Sequence, residues 1–252
     1  MNNFNMRRFL APFFCGFIIL LSLWYILSAI INLPILPSPI VVIRNIFAGF
    51  LGLISIHAAS SLFRIAAGLV MGVAFGLPLG IAMGYFKNVR KILSPVVYLA
   101  YPVPKIALLP GVMLAFGVGE ISKIVIIFLI IFFQIVVAVR DAVQAIPAET
   151  YYPLYSLGAS FKDVFLNVLF PASLPKFLTS LRVAMATAIS VLFFTETFGT
   201  VHGMGYFIMD AWQRVNYVDM YSGIVVLSSM GLALFLLLDM AERIFCDWQY
   251  HE

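Results

Sequence analysis

"SLGASFKDVFLNVLFPASLPKF", residues 156–177, is the stretch on which the reading of this chain turns. From Phe161 the apolar residues fall at Phe161, Val164, Phe165, Val168 and Leu169, the i, i+3, i+4, i+7, i+8 spacing of one helix face. Ser160, Lys162, Asp163 and Asn167 lie mostly off that face. Ser160 and Asp163 form S-x-x-D, a capping-box variant that starts a helix. Gly158 stands just before it, where the chain must turn sharply and φ can be positive. Pro171 is expected to end the helix. A short, wet, amphipathic helix therefore sits in a chain that is otherwise 63% hydrophobic and 10% charged.

The rest of the chain belongs in lipid. A mean hydropathy of +1.07 over 252 residues excludes an ordinary soluble domain. Continuous apolar runs, rather than alternating ones, indicate helices and not a barrel. Six such runs fall at about 10–32, 60–84, 92–117, 121–139, 178–200 and 220–244, each near the ~20 residues that cross a hydrocarbon core. The fold class is all-α and polytopic: one transmembrane domain over 1–252, with its core over about 60–244. The basic start followed by an apolar run to Ile31 reads as a retained first span rather than a cleaved signal. The third run holds Pro95, Pro102, Pro104 and Pro110 together with Lys105, so it is expected to be broken. A break at that depth either lines a pathway or serves packing. Two cysteines, Cys15 and Cys246, make no disulfide framework.

Loop charges orient the spans. With the N-terminus inside, nine cations (Arg7, Arg8, Lys87, Arg90, Lys91, Arg140, Lys162, Lys176 and Arg243) are cytoplasmic, against three outside (Arg44, Lys123 and Arg214). Both termini are then cytoplasmic, in a cell membrane, and so is the longest connection, about 140–177, which carries the opening stretch. The net charge of +4 reflects these loops and not a nucleic-acid surface.

Gly68, Gly72, Gly76, Gly80 and Gly84 recur every four residues along the second span. Small residues at this spacing let helix backbones approach closely in lipid. The groove they make can serve packing within the subunit or a contact between subunits. Glu196, flanked by Thr195 and Thr197 near the outer end of the fifth span, is costly at such depth unless paired or wet. It either pairs with an arginine of another helix or caps a helix end, or it lines a pathway or gate. No phosphate-binding G-x-x-x-x-G-K-[ST] occurs, and His57, His202 and His251 show no metal-ligand spacing. No catalytic residue and no metal are expected on this chain.

The opening stretch resembles the cytoplasmic EAA loop of the membrane subunits of ATP-binding-cassette importers. In that pattern, E-A-A is followed after three residues by Gly, and after nine more by an aliphatic residue, one residue, and Leu-Pro. Gly158, then Val168 to Phe170 and Pro171, match its second half, with phenylalanine for leucine. Its first half is absent: Tyr152, Pro153 and Leu154 stand in place of Glu-Ala-Ala. The stretches "LPSPIVVIRNIF", "HAASSLFRIAAGLVMGVAFGLPLGIAMG", "YPVPKIALLPGVMLAFGVGEISKIVI" and "GMGYFIMDA" are similar to the nitrate, sulfonate and taurine branch of these permeases.

The resemblance implies a methionine-permease-like fold and a permease subunit without catalysis of its own. Its partners would be a second permease subunit, two cytoplasmic ATPases that bind ATP and magnesium, and an extracytoplasmic solute-binding protein. Gly158, Ser160, Phe161, Lys162, Asp163, Phe165 and Pro171 would then belong to the helix that couples to the ATPase. Importers of thiamine-precursor heterocycles share the fold, and a stand-alone secondary transporter is a further alternative.

Overall fold

The computed structural model describes residues 6–247, with side chains from Cys15 onward. Among these residues the chain is helical and contains no strand. Four helical stretches are long and apolar enough to cross a bilayer: Pro39–Tyr85, Glu120–Gln144, Phe161–Glu196 and Tyr217–Phe245. A fifth crossing is a bent pair, Lys87–Ala100 and Lys105–Phe116, whose halves meet at 83°. α1, Met6–Ile31, supplies the N-terminal apolar helix. All six predicted runs fall on these elements. Large apolar side chains point outward as lipid requires: Leu20, Phe47, Val70, Phe75 and Leu99 are each 60% exposed or more.

The first long stretch is two helices, α2 (Pro39–Gly49) and α3 (Ser55–Tyr85), joined by a π-turn over Phe50–Ile54. Gly52 leaves helical geometry there, with φ −111° and ψ −107°. The kink matters because 47 straight residues would run ~70 Å, more than twice the hydrocarbon thickness. α2 instead turns aside toward α11 (Tyr217–Phe245), where Asn45 donates to Asp219 at 2.8 Å and to Ser222 at 3.0 Å.

The break in the third span follows from its prolines. Pro102 and Pro104 have no N–H to continue the ladder of α4 (Lys87–Ala100), so its end is short of amide donors, although the Val103 N–H reaches the Ala100 carbonyl at 3.3 Å. Lys105 replaces them: its ammonium donates to the Ala100 and Tyr101 carbonyls at 2.8 and 2.5 Å, and sits 4.8 Å from the Phe133 ring centre. The lysine thus caps the C-terminal, negative end of α4. The chain then resumes as a 3₁₀ turn, Lys105–Leu108, and α5, Leu109–Phe116.

α6 (Glu120–Gln144) lies along α3 through the glycine groove. A Cβ on Gly68 would stand 2.5 Å from Ile127, on Gly72 2.5 Å from Ile131, and on Gly76 3.2 Å from Ile135. Gly80 and Gly84 meet Val139 and Val143 in the same way, at 2.8 and 2.5 Å. Glycine on one helix and a β-branched residue on the other share the four-residue period, so five layers interlock in one register. This groove is filled from within the chain. Because both numberings rise together, α3 and α6 are parallel, and the segment between them must recross the membrane. The bent pair is therefore one span.

α9 (Phe170–Glu196) runs antiparallel to α6: Ser180 donates to the Gln134 carbonyl, while Glu196 lies at the Glu120 end. α11 is antiparallel to α9 in turn, with Arg182 paired to Asp239 and Glu242. α10, Met204–Gln213, packs between α9 and the start of α11.

One local expectation is corrected. Pro171 does not end the amphipathic helix. α8 (Phe161–Val164) passes through a π-turn over Phe165–Leu169 into α9, and the whole run from Phe161 to Glu196 is continuous. Pro171 lies in the first turn of α9, where a missing N–H is tolerated, and the widened turn before it absorbs the ring. The capping box forms: the Ser160 hydroxyl accepts from the Asp163 N–H, and the Ser160 N–H donates back to the Asp163 carboxylate at 2.8 Å. Gly158 adopts φ +69°.

Candidate functional site

Two regions gather the chemistry. The first is a buried ionic cluster where α3, α6, α9 and the 197–205 segment meet. Arg64 of α3 is fully buried and forks onto Glu120 at the start of α6, with Nε and Nη2 each 2.6 Å from a carboxylate oxygen. Its Nη1 donates to Glu196 at 2.6 Å and to the His202 carbonyl at 2.9 Å. Glu196, also fully buried, accepts in addition from Ser61 at 2.7 Å and from the Gly205 N–H at 2.8 Å. Ser61 accepts from the Met204 N–H at 2.8 Å, and His57 Nδ1 accepts from the Gly203 N–H at 3.0 Å. Three successive amides of the Gly203–Gly205 turn thus close on three side chains, two of them one turn apart on α3.

The local sequence explains this closure. His57, Ser61 and Arg64 recur at i, i+4 and i+7 on one face of α3. Gly203 has φ +134°, and a Cβ there would lie 2.5 Å from both Arg64 Nη1 and the Glu196 carboxyl carbon. A Cβ on Gly205 would collide with the Phe193 carbonyl oxygen. Only glycine lets the turn sit on the ion pair. The cluster replaces bulk water with a full set of donors, the condition under which a charge at membrane depth is tolerated. Of the three residues singled out here from sequence, Glu196 holds this centre, Thr195 is buried and bonds to the Leu192 carbonyl, and Thr197 bonds to the Phe194 carbonyl at the exposed helix end.

Arg64 and Glu120 were not singled out from sequence. They stand 56 residues apart from each other, and Arg64 stands 132 from Glu196. Arg64 alone carried a signal in the single chain, a charge inside an apolar helix that needs a partner; Glu120, half exposed at the start of α6, carried none.

The second region is at the opposite end of the same helices. A 3₁₀ turn, Ala148–Tyr151, and α7, Tyr152–Ser156, lead to the Gly158 turn. The Tyr85 and Tyr155 hydroxyls meet at 3.0 Å, and Phe161 lies 5.5 and 5.3 Å from the ring centres of Tyr85 and Phe86. Burial, with Tyr155 alongside, pushes the Tyr151 phenol above its ordinary range, so it stays neutral. Most of the apolar face read from 161–169 is directed inward: Val164, Val168 and Leu169 are buried and Phe165 packs on the same core, while Phe161 stays 48% exposed. What faces outward is α7 and its exit, with Tyr152 58%, Tyr155 52% and Leu157 86% exposed. Lys162 and Asp163 are exposed beside them.

The arrangement has known counterparts. The taurine transport system permease protein TauC of Escherichia coli is 33% identical over 238 residues, covering 91% of this chain and 86% of the relative. The formylaminopyrimidine transport permease protein ThiX of Halalkalibacterium halodurans is 28% identical over 234 residues, covering 92% of this chain and 94% of the relative. Among solved structures, an inward-facing conformation of the MetNI methionine ABC transporter shares the fold, with a TM-score of 0.64 at 20% identity over 75% of this chain and 94% of that one. The family model for binding-protein-dependent transport system inner membrane components matches residues 72–246, which takes in the glycine ladder from Gly72 onward, the broken span, the Gly158 loop and the Glu196 end of the cluster. The chain belongs to that family: it is an inner-membrane permease component of a binding-protein-dependent transport system.

Proposed function

We propose that this chain forms, with a second copy of itself, the translocation pathway for taurine or a related small sulfonate. A solute-binding protein delivers the sulfonate from outside, and two separate ATPase subunits drive the transport. The observation that carries the substrate class is the 33% identity to the taurine permease across 91% of the chain. The similarity to the formylaminopyrimidine permease, 28% over 92% of the chain, favours a second reading in which a pyrimidine is the cargo. Uptake into proteoliposomes holding the complete transporter separates them. ATP-dependent accumulation of labelled taurine is expected, and accumulation of formylaminopyrimidine without taurine overturns the sulfonate assignment.

The whole chain acts as one transmembrane unit with both termini in the cytoplasm, the sense given by nine loop cations against three. That sense puts the 148–158 segment on the ATPase side and the Arg64 cluster at the outer end. The ATPase docks on α7 and the Gly158 turn, with Ser160, Phe161, Lys162 and Asp163 at the edge. Phe165 and Pro171 support this surface from behind. Leu157 is the exposed apolar anchor. Full burial of such a side chain contributes ~1.5–3 kcal/mol, so Leu157→Asp should weaken retention of the ATPase by about 10- to 100-fold while the permease still inserts. Co-purification of the ATPase with tagged permease reads this. Full retention by Leu157→Asp sinks the docking assignment. Phe165→Asp should instead lower the stability of the permease itself, because Phe165 packs on its core.

A further inference from the structure

We propose that α4 carries a binding site for the headgroup of an anionic phospholipid. α4 has three faces, each with a different environment. Val89, Leu93 and Val97 pack on Met83, Val136 and the Phe132–Phe133 pair. Ile92, Val96 and Leu99, at i, i+4 and i+7, are 70%, 58% and 73% exposed. The third face bears Lys87, Lys91, Ser94 and Tyr98, at i, i+4, i+7 and i+11. With Arg90 and with Arg140 of α6 it forms a groove of about 460 Å³.

The charge in this groove is unbalanced. Arg140 pairs with Asp141 at 2.7 Å, and Arg90 reaches the Gly84 carbonyl at 3.5 Å. Among the described residues, no carboxylate lies within ion-pair distance of Lys87 or Lys91. Four cations therefore stand against one acid, in a groove bordered by an exposed aliphatic stripe. A free phosphate would satisfy the cations and leave the stripe bare. A phospholipid satisfies both, with its phosphate in the groove and its acyl chain along Ile92, Val96 and Leu99. Tyr98, 81% exposed, stands where interfacial tyrosines sit at headgroup level. The site lies at the same end as the 148–158 segment, because Phe86, next to Lys87, touches Phe161. Bound lipid would hold the start of the broken span at the membrane surface beside that segment.

Native mass spectrometry of the full-length permease, exchanged into detergent with limiting lipid, tests this. Wild type should retain phosphatidylglycerol in preference to phosphatidylcholine. Each cation near the surface strengthens such binding by roughly fivefold, so the triple variant Lys87→Gln, Arg90→Gln, Lys91→Gln should lose retention on the order of 100-fold. Lys87→Arg with Lys91→Arg should keep it. Equal retention of both lipids by wild type overturns the proposal, as does unchanged retention in the triple variant. Displacement of the lipid by millimolar inorganic phosphate assigns the groove to a soluble anion instead. Loss of the ATPase from the triple variant, with lipid retention intact, assigns it to a protein partner.

Discussion

Arg64→Ala is expected to be the most damaging single substitution in this chain. It removes the shared partner of two carboxylates, one of which, Glu196, has no exposure at all. A buried charge that loses its partner costs ~3–5 kcal/mol. The change also removes the Arg64 donor from the His202 carbonyl, so the Gly203–Gly205 turn keeps only its His57 and Ser61 contacts to α3. Loss of accumulation in the membrane, or a melting temperature far below wild type in detergent, is the expected result. The cluster predicts an order among its members. Glu196→Gln keeps an acceptor for the Gly205 N–H and leaves Arg64 paired to Glu120, so it should cost less than Arg64→Ala. Glu120→Ala removes a half-exposed carboxylate and should cost least. Thermal unfolding of the purified series measures this order. An Arg64→Ala protein that melts like wild type removes the cluster's structural role. A Glu196→Gln protein that melts like wild type but no longer transports assigns Glu196 to the pathway or gate.

Gly72→Leu is the second large effect. The groove at Gly72 has no room for a first carbon, since a Cβ there would sit 2.5 Å from Ile131 Cγ2 and 2.8 Å from Ile131 Cβ, with the Phe132 backbone nitrogen at 3.4 Å. Overfilling a packed site costs ~1–3 kcal/mol when neighbours can shift. Here a shift of α6 against α3 disturbs the other four layers, so the leucine variant should fail to assemble. Gly72→Ala should fold with a lowered melting temperature, and Ile131→Ala in the same chain should recover part of the loss. Gly111→Ala serves as the control, because nothing lies within 4 Å of a Cβ at that position. A Gly72→Ala protein as stable as the Gly111→Ala control shows that the helices are not held in register here.

The helical bundle and its spans were legible in the chain because lipid imposes a rule that acts on each segment alone. Every backbone group must be satisfied within the helix, so a run of ~20 apolar residues is a span wherever it falls. That the third run breaks was legible for the same reason, since proline removes a donor whatever surrounds it, but of Pro95, Pro102, Pro104 and Pro110 only the middle two fall in the break. The Gly158 turn and the Ser160–Asp163 cap were legible because their partners lie within five residues. Pro171 was misjudged because the π-turn ahead of it depends on how Val164, Val168 and Leu169 pack, and a proline in the first turn of the next helix has the same sequence as one that ends the last.

Sequence alone therefore determined the class of molecule, that the third apolar run is broken and the loop that bears the family's mark, while six runs were read where, among the described residues, four helices, or five with the bent pair, are long and apolar enough to cross. The tertiary structure decided which partner fills the glycine groove, which way the amphipathic face points and what neutralises Glu196. The physical reason is the range of each interaction. Hydropathy, capping and proline geometry act within a turn or two of the residue that causes them. The Gly72–Ile131 contact and the Arg64–Glu120–Glu196 cluster join positions 56 or more residues apart. The pattern on one helix states that a close neighbour or a counter-charge is needed. Only the packed bundle states that α6 supplies the first and Arg64 the second.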